Sequence, residues 1–274
     1  MTRLGDQVRR TNPYTYGAQL WKYRSLILAM AVREAQGRYI GTFGGMLWMI
    51  VHPLATITIY WLVFSVGLKV QPSSGLPFVI FLVCGIVPWL TFNETVMAST
   101  NAVTGAPHLV KKVAFPTSVL PVVHLLVSMV SHSIMLAILL VMLAVNGIPF
   151  SWAFLQALYY LGALYVLCLG IGWLVASINV FSRDVANGLS VILSFWFWLT
   201  PIVWPTSMLG KHAGWLMLNP LYYIIDGYRD AFLGGASFWD KGVEHLVYWT
   251  ICLVILIAGG RTFRKLQPDF AEVL

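Results

Sequence analysis

Few side chains in this sequence could do chemistry, and their spacing matches none of the common catalytic sites. His124, Ser128 and His132 lie four residues apart and would share one face of a helix. Such a polar stripe fits either a pore lining or hydrogen bonds between helices, because polar side chains commonly join helices inside a membrane. The sequence contains no GxxxxGK(S/T) phosphate loop, no HExxH pair and no GxSxG elbow. It therefore predicts neither ATP hydrolysis by that loop nor zinc-peptidase or serine-hydrolase chemistry.

The three cysteines are far apart, and each lies within an apolar stretch. Cys84, Cys168 and Cys252 form no CxxC pair and belong to no Cys/His cluster. Paired spacing is what a disulfide framework or a zinc site requires. We therefore expect these cysteines to be small buried residues in a membrane, and we expect no metal site.

The composition is that of an integral membrane protein. Of the 274 residues, 59% are hydrophobic and only 10% are charged, and the mean hydropathy is +0.78. Soluble domains carry about 25% charged residues, so this composition excludes a water-soluble globular domain and a disordered chain. The net charge is +7, but the basic residues form no single patch, so no nucleic-acid partner is expected.

Long uncharged stretches predict the membrane helices. The stretch from Val113 to Ser182 has no Asp, Glu, Lys or Arg and is far longer than the roughly 20 residues that one helix needs to cross. The turn signal from Asn146 to Pro149 divides it into two crossings. Continuous apolar runs favour helices over a barrel, whose strands alternate with period two. The sequence predicts an all-α membrane protein with six spans, near 39–68, 70–93, 118–145, 153–180, 185–210 and 245–260.

The basic residues predict the orientation of these spans. Thirteen of the seventeen lie in the N-terminal segment, in the 101–117 and 181–187 loops and from Arg261 to the C-terminus. By the positive-inside rule, both termini are cytoplasmic. Aromatic and basic residues mix between Tyr14 and Arg38, which favours a helix lying in the cytoplasmic membrane interface. The chain is interpreted as a single domain, 1–274, with an N-terminal segment (1–38), a six-span core (39–262) and a cytoplasmic tail (263–274).

The predicted external region between Trp204 and Lys241 is too broken by proline and glycine to be one span. Two short apolar pieces flank Asn219 and Pro220, and they predict a re-entrant helical hairpin, which is tolerated only where protein or a cavity satisfies its backbone. Three charged residues follow at a spacing that allows pairing within one helical turn. Such pairing would hold an exit gate closed, or would be an exposed pair of little energetic value. The three are Asp226, Arg229 and Asp230.

Aromatic residues are the remaining candidates for a binding surface. Four consecutive ones lie well inside the predicted fifth span, and at most two of the four can face a pore. Sugar rings present apolar C–H faces that stack on aromatic surfaces, which suits a polymer that must slide. For any single residue, packing in the core or against lipid is the more ordinary interpretation. The candidates are Phe195, Trp196, Phe197 and Trp198, together with Tyr60, Phe64 and Tyr159.

Six motifs lie in order along nearly the whole chain. They are Arg38 to Trp48 with His52-Pro53, Lys111 to Pro116, Asn179 to Asp184, Pro201 to Pro205, Asn219-Pro220-Leu221 with Tyr228-Arg229, and Phe263 to Leu274. In this register they resemble the ABC type-2 polysaccharide exporter permeases, which include exporters of O-antigen, capsule and teichoic acid. The tail is most similar to that of the O-antigen exporters.

The resemblance implies a homodimeric permease with two copies of a separate ATP-binding subunit. Its substrate would be a lipid-linked polysaccharide, such as an undecaprenyl-diphosphate-linked chain, crossing the bacterial cytoplasmic membrane. This chain itself would hold no cofactor, because Mg-ATP would be bound by the partner. Two alternatives remain: the same fold exporting a smaller lipo-oligosaccharide or a drug, and a membrane-embedded glycosyl or acyl transferase. A transferase would need an acidic or histidine cluster at a membrane face.

The resemblance also implies where the ATP-binding subunit docks. A coupling helix would lie between Pro107 and Pro116, where the sequence has room for about two helical turns. Its lysines could equally serve only as positive-inside residues. Likewise, Asp184 could favour the positive end of the following helix. The residues assigned to coupling are Leu109, Lys111, Lys112, Phe115, Pro116, Arg183 and Asp184.

Overall fold

The computed structural model describes residues 15–38, 44–70, 77–111 and 115–274, and the regular elements in these ranges are all helices. Five of the described helices are long and apolar enough to cross a membrane. A further apolar helix, Asp184–Leu199, is shorter, with 16 residues. The all-helical prediction is confirmed, whereas the count of six spans stays a prediction. The five are Trp48–Gly67, Phe78–Thr100, Thr117–Val145, Trp152–Asn179 and Gly242–Val273.

The helices are numbered here in chain order. The α-helices are α1 (Thr15–Lys22), α2 (Arg24–Gly37), α3 (Trp48–Trp61), α4 (Phe78–Thr100), α5 (Pro107–Val110), α6 (Leu120–Val145), α7 (Gln156–Asn179), α8 (Asp184–Leu199), α9 (Pro220–Leu233), α10 (Gly242–Leu266) and α11 (Phe270–Val273). A π-helical segment, Leu62–Gly67, continues α3. The described 3-10 helices are Gly45–Leu47, Thr117–Val119, Trp152–Leu155, Thr206–Leu218, Phe238–Asp240 and Gln267–Asp269.

Local chemistry sets the ends of α8 and α10. Thr200 adopts an extended conformation, because a residue before proline is disfavoured in the helical region. The helix therefore stops at Leu199, and the predicted end of the fifth span at 210 is wrong. By contrast, α10 runs beyond its predicted limits of 245–260. Arg264 and Lys265 occupy its last turn, where the helix dipole favours positive charge.

Close backbone contacts hold the centre of the bundle together. A Cβ atom added to Gly259 of α10 would lie 2.1 Å from the carbonyl oxygen of Gly170 in α7. A Cβ atom on Gly227 of α9 would meet the ring of Tyr160, also at 2.1 Å. Small residues at such crossings let membrane helices approach closely without a hydrophobic driving force. The helices α4, α7, α9 and α10 thus form a tightly packed core.

Hydrogen bonds between helices use two residues of the predicted polar stripe. The Nδ1 atom of His132 lies 2.8 Å from the hydroxyl oxygen of Thr91, and its Nε2 atom lies 3.2 Å from that of Tyr228. Thr95 donates to the hydroxyl oxygen of Ser128 at 2.7 Å. Ser128 and His132 are buried. For these two residues the structure favours interhelical hydrogen bonding over a pore lining.

The helices α3 and α8 lie beside the core of α4, α7, α9 and α10, and they are less completely buried. The ring of Tyr60 in α3 stacks on that of Phe197 in α8, with centroids 5.2 Å apart. In the π-helical segment that continues α3, the ring centroid of Phe64 lies 6.4 Å from that of Trp198. The α3–α8 pair, together with the π-helical end of α3, therefore shares an aromatic seam.

At the predicted cytoplasmic end, an apolar group joins distant parts of the chain. We call it the terminal cluster; its buried members include Val110, Trp173, Phe263 and Phe270. Nearby, α2 packs Ile27 and Ala31 against the start of α6. The opposite side of α2 exposes Leu28 and Val32. An apolar exposed face flanked by basic residues fits the predicted interfacial helix, whose position in a membrane stays a prediction.

Candidate functional site

The predicted external region forms two helical pieces joined at Asn219. The first, Thr206–Leu218, is interrupted at Gly210, whose φ of +49° only glycine adopts readily. The second is α9, which begins with Pro220 in its first turn and ends at Gly234, in a left-handed conformation. Helical pieces therefore lie on both sides of Asn219, but the predicted re-entrant hairpin is not confirmed. Its dipping into the membrane stays a prediction.

The side-chain amide of Asn219 ties the end of α8 to the start of α9. Its Oδ1 atom accepts from the indole nitrogen of Trp196 at 2.9 Å and from the backbone nitrogen of Leu221 at 3.1 Å. Its Nδ2 atom donates to the hydroxyl oxygen of Thr200 at 2.9 Å. Amides that cap a helix start in this way satisfy backbone donors that the helix itself leaves free.

Lys241 is the counter-ion of the two acidic residues of α9. Its Nζ atom lies 2.6 Å from a carboxylate oxygen of Asp226 and 2.6 Å from one of Asp230. Burial by itself would lower the pKa of Lys241, but the two carboxylates outweigh burial and raise it. Burial also raises the pKa of Asp230. The lysine stays charged and clamps α9 to the start of α10.

Arg229 is not part of this cluster, so the predicted pairing of Asp226, Arg229 and Asp230 is wrong. Its guanidinium turns into the core, where Nη2 donates to the carbonyl oxygen of Ile202 at 2.8 Å. The same group lies 3.6 Å from the ring centroid of Phe81, an attractive cation–π distance. Burial lowers the pKa of Arg229 to about 10, so the side chain remains charged at neutral pH.

Glycine makes room for this buried arginine. A Cβ atom on Gly85 of α4 would lie 2.9 Å from the Nη2 atom of Arg229. The arginine Nε atom has no hydrogen-bond partner in the described part of the chain. Spacing along one helix suggested a pair at i and i+3, but tertiary contacts gave both charges other partners. Arg229 therefore anchors α9 to α4, whereas Lys241 anchors it to α10.

The four consecutive aromatics of α8 divide into two pairs. Phe195 and Trp198 are 67% and 53% exposed, whereas Phe197 is buried and Trp196 is held by Asn219. Two of the four therefore face outward from the chain, as helix geometry requires. They occupy the last turns of α8, because Pro201 ends the helix early. The prediction that they lie well inside a span is wrong.

The other aromatic candidates fall in two places. Tyr60 and Phe64 line the α3–α8 seam beside the exposed aromatics. Tyr159 instead belongs to a polar cluster at the predicted external end, where its hydroxyl oxygen accepts from the indole nitrogen of Trp249 at 2.9 Å. That oxygen also lies 3.1 Å from Nδ1 of His245. The structure brings Tyr60 and Phe64 together with the α8 aromatics and gives Tyr159 different neighbours.

Two of the residues assigned to coupling, Leu109 and Phe115, pack against the terminal cluster. The helix α5 is a single turn, shorter than the two turns predicted, since Lys111 already caps it. Leu109 and Phe115 are half-buried against the chain's own apolar residues, and Lys111 is exposed. The carbonyl oxygen of Pro116 accepts from the backbone nitrogen of Val119. Lys112, like residues 39–43 of the first motif, lies outside the described residues.

The second coupling motif lies at the start of α8. Arg183 and Asp184 are both exposed. Asp184 is the first residue of the helix, where a carboxylate interacts favourably with the helix dipole. Asp184 therefore has a structural role whether or not a partner protein also contacts it. Docking of an ATP-binding subunit at either residue stays a prediction.

One charged pair was missed by the sequence analysis. Arg38, at the end of α2, forms an ion pair with Glu94 of α4, and the hydroxyl of Ser131 donates to the same carboxylate oxygen at 3.2 Å. The signal was present: Glu94 ends an uncharged run, and an acidic residue beside an apolar span requires a partner. The structure places Glu94 within α4, which continues to Thr100.

Comparisons with known proteins match residues 25–233 to the family described as ABC-2 type transporter. Over 261 residues, the chain is 27% identical to the O-antigen export system permease protein RfbA of Myxococcus xanthus, covering 93% of this chain and 97% of that protein. It is 26% identical over 252 residues to the protein of the same name from Klebsiella pneumoniae, covering 91% and 95% of the two chains.

Proposed function

The chain belongs to the ABC-2 type transporter family, and on that premise we propose that it is the membrane permease of an ATP-driven exporter of lipid-linked polysaccharide. The observation that carries this proposal is the similarity to O-antigen export permeases along nearly the entire length of both chains. The family confirms the resemblance given by the six motifs. The apolar helices agree with a permease.

The energy for export would come from a separate subunit. This sequence has no phosphate-binding loop, so ATP binding by that motif must be supplied by a partner. The exposed Lys111 beside α5 offers a positively charged docking point at the predicted cytoplasmic face. Val110 of α5 packs in the same cluster as Trp173 of α7 and Phe263 of α10. Pressure on α5 would therefore reach two core helices directly.

A second copy of the chain would complete the path for the polymer. The α3–α8 pair exposes Phe195 and Trp198 away from its own core. In a homodimer that meets along these helices, aromatic rings from both copies would face the polysaccharide. Stacking on sugar faces is weak at each ring and tolerant of sugar identity, so the polymer could slide without a deep trap.

The Lys241 cluster would control the external end of this path. Asp226 and Asp230 bind α9 to the start of α10 through one buried lysine. Opening the end would require α9 to separate from α10 or to move together with it. We assign the gate role to α9 with its capping Asn219 and Pro220, and Arg229 fixes the same helix to α4.

Transport in vesicles tests this function. The chain is co-produced with a candidate ATP-binding subunit, and inverted membrane vesicles are supplied with the lipid-linked polysaccharide on their outer face. We expect ATP to move the polymer into the lumen, where an added glycosidase cannot degrade it. A phosphate-loop variant of the partner should abolish this protection.

Other outcomes separate the alternatives. ATP-dependent uptake of a short lipo-oligosaccharide or a drug into the lumen, without uptake of the polymer, would assign the smaller substrate. Chemical modification of a lipid-linked sugar by the purified chain alone would assign a transferase. Within the vesicle assay, Trp198→Ala should slow export without loss of the partner subunit. Trp152→Ala, at an exposed position outside both the α3–α8 pair and the external helical pieces, is the matched control.

A further inference from the structure

A cleft of about 490 Å³ opens around Glu94, in the predicted cytoplasmic half of the bundle. Its size lies within the range of small-molecule sites, about 300–1,000 Å³. We call it the Glu94 cleft. It lies between the start of α3 and the facing sides of α4 and α6, and none of the roles discussed above uses it. Its polar and aromatic lining residues are Arg38, Trp48, His52, Asn93, Glu94 and Ser131.

The charges in this cleft cancel. Arg38 pairs with Glu94, and both side chains remain partly exposed. Because the arginine already has a carboxylate partner, a phosphate entering the cleft would meet a negative charge as well as a positive one. A neutral ligand with many hydroxyl groups meets no such repulsion. An ionised carboxylate accepts strong hydrogen bonds from hydroxyl donors, and Arg38 and Ser131 orient this one.

Two further polar side chains in the cleft have hydrogen-bonding capacity to spare. The amide of Asn93 and the imidazole of His52 make no side-chain hydrogen bond within the described ranges. Asn93 both donates and accepts through its amide, and His52 adds ring nitrogens of either kind. Neighbouring hydroxyls of a sugar, which also donate and accept, match this set.

An aromatic surface completes the cleft. Trp48 is 53% exposed, and its ring lies directly over Gly44. A Cβ atom on Gly44 would lie 2.6 Å from the indole nitrogen, so only a glycine lets the ring occupy this position. The absence of a side chain at Gly44 therefore leaves room for the indole, and about half of the indole surface stays available. A flat ring of this kind presents the stacking surface that an apolar sugar face requires.

On the basis of the proposed function, we infer that the Glu94 cleft is a carbohydrate-binding site that holds one neutral sugar unit of the exported polymer. The sugar face stacks on Trp48. Its hydroxyl groups bind the carboxylate of Glu94 and the amide of Asn93, while Arg38 acts as a positioning residue for Glu94. The cleft engages the polymer at its entry, before it reaches the aromatic seam between α3 and α8.

Binding of lipid-free polymer tests this assignment. The probe is polysaccharide from the producing cells, released from its lipid by mild acid and labelled with a fluorophore. The full-length chain in lipid nanodiscs is titrated by fluorescence polarisation. Trp48→Ala should weaken binding about tenfold, because it removes the aromatic surface on which the sugar face stacks. Asn93→Ala should weaken it about fivefold, within the range for one hydrogen bond.

Matched variants separate binding from folding. Trp48→Phe keeps an aromatic face and should restore affinity to within about threefold of the unaltered chain, by the same stacking argument. Trp215→Ala removes an exposed indole elsewhere and should leave binding unchanged. All variants are compared for elution as folded protein. Equal affinity in Trp48→Ala, Asn93→Ala and the unaltered chain would overturn the assignment.

A competition experiment identifies the ligand chemistry. Inorganic pyrophosphate should fail to displace the labelled polysaccharide; displacement by pyrophosphate would make the cleft a phosphate site instead. Failure of the cleft and failure of the proposed function are distinguishable. If the unaltered exporter moves polymer in vesicles and the Trp48 and Asn93 variants bind and export equally well, only the cleft assignment falls. If the unaltered exporter moves no polymer, the proposed function falls.

Discussion

The two helices α3 and α4 have the same mean hydropathy but opposite surroundings. In the most apolar stretch of α4, 78% of the residues are buried within the chain, against 11% for α3 with its π-helical end. Each also contains an internal proline, Pro53 or Pro88. Apolarity therefore predicts that both helices cross a membrane. It does not predict which of them is central and which is peripheral.

The difference arises from the neighbours of each helix. Consecutive residues of α4 from Leu82 to Cys84 are fully buried, which requires protein on every side of the helix. On α3, Ile50, Val51 and Ile59 are exposed, so lipid or a second copy of the chain must cover them in a membrane. The packed core and the α3–α8 pair should therefore respond differently to the same substitutions.

The largest effect is expected where the core backbones touch. Gly259→Leu forces a side chain into the backbone of α7 and should cost more than about 3 kcal/mol, the upper range for overpacking. Folded protein should be lost in a fluorescence-detected gel-filtration assay. Gly162→Leu is the control, because a Cβ atom at Gly162 meets nothing within 4 Å. Similar loss in both variants would show that the α7–α10 contact is not special.

The same truncation on α4 and α3 tests the comparison directly. Ile80→Ala on α4 removes fully buried methyl groups and should cost about 3 kcal/mol. Ile59→Ala on α3, where the side chain is 59% exposed, should cost under about 0.5 kcal/mol. Unfolding midpoints are measured on the monomeric fraction in detergent. A large effect of Ile59→Ala there would mean that α3 packs as tightly as α4.

At the predicted external end, Lys241→Met leaves the two carboxylates of α9 without their counter-ion. Removing one partner of a fully buried ion pair costs about 3–5 kcal/mol. We expect about 2 kcal/mol here, because Asp226 and Asp230 keep some contact with solvent. Denaturation curves should shift accordingly, whereas Lys211→Met, at an exposed lysine, should leave them unchanged. If the denaturation curves of Lys241→Met and the unaltered chain were the same, the ion pairs of Lys241 with Asp226 and Asp230 would not stabilise the fold.

The smallest effect concerns the hydrogen bonds inside the core. Tyr228→Phe removes the hydroxyl that lies 3.2 Å from His132 and should cost about 1 kcal/mol. Tyr222→Phe, one turn and a half earlier on α9 and only half-buried, serves as the control. Thermal unfolding of the two purified variants side by side measures the difference. If Tyr222→Phe proved the more destabilising, the His132 bond would not stabilise the core.

The apolar helices and the broken external region could be predicted from the sequence because both depend on local composition. Uncharged runs mark helices, and the prolines and glycines between Trp204 and Lys241 mark interruptions. The end of α8 is also set locally, because Pro201 restricts the conformation of Thr200. The predicted span nevertheless extended to 210, because the uncharged run continues to Gly210.

The partners of charged residues could not be predicted in this way. Asp226 and Arg229 are close in sequence, yet the structure pairs Asp226 with Lys241 and turns Arg229 toward α4. Arg38 and Glu94 are separated by more than fifty residues, and no spacing rule joins them. Which charged side chains form pairs depends on how the helices pack. Helices of equal apolarity, such as α3 and α4, can differ in packing without any difference in composition that would predict it.

The amide of Asn219 has a mechanical consequence. It binds Trp196 and Thr200 at the end of α8 as well as Leu221 at the start of α9, so one side chain links these two helix ends. If α8 rotated, Asn219 would move the start of α9 in the same direction. The chain between the two helices would then bend at Gly210, where the helical conformation is already interrupted. Movement of the proposed polymer path on α8 and opening of the proposed gate at α9 would then be coupled.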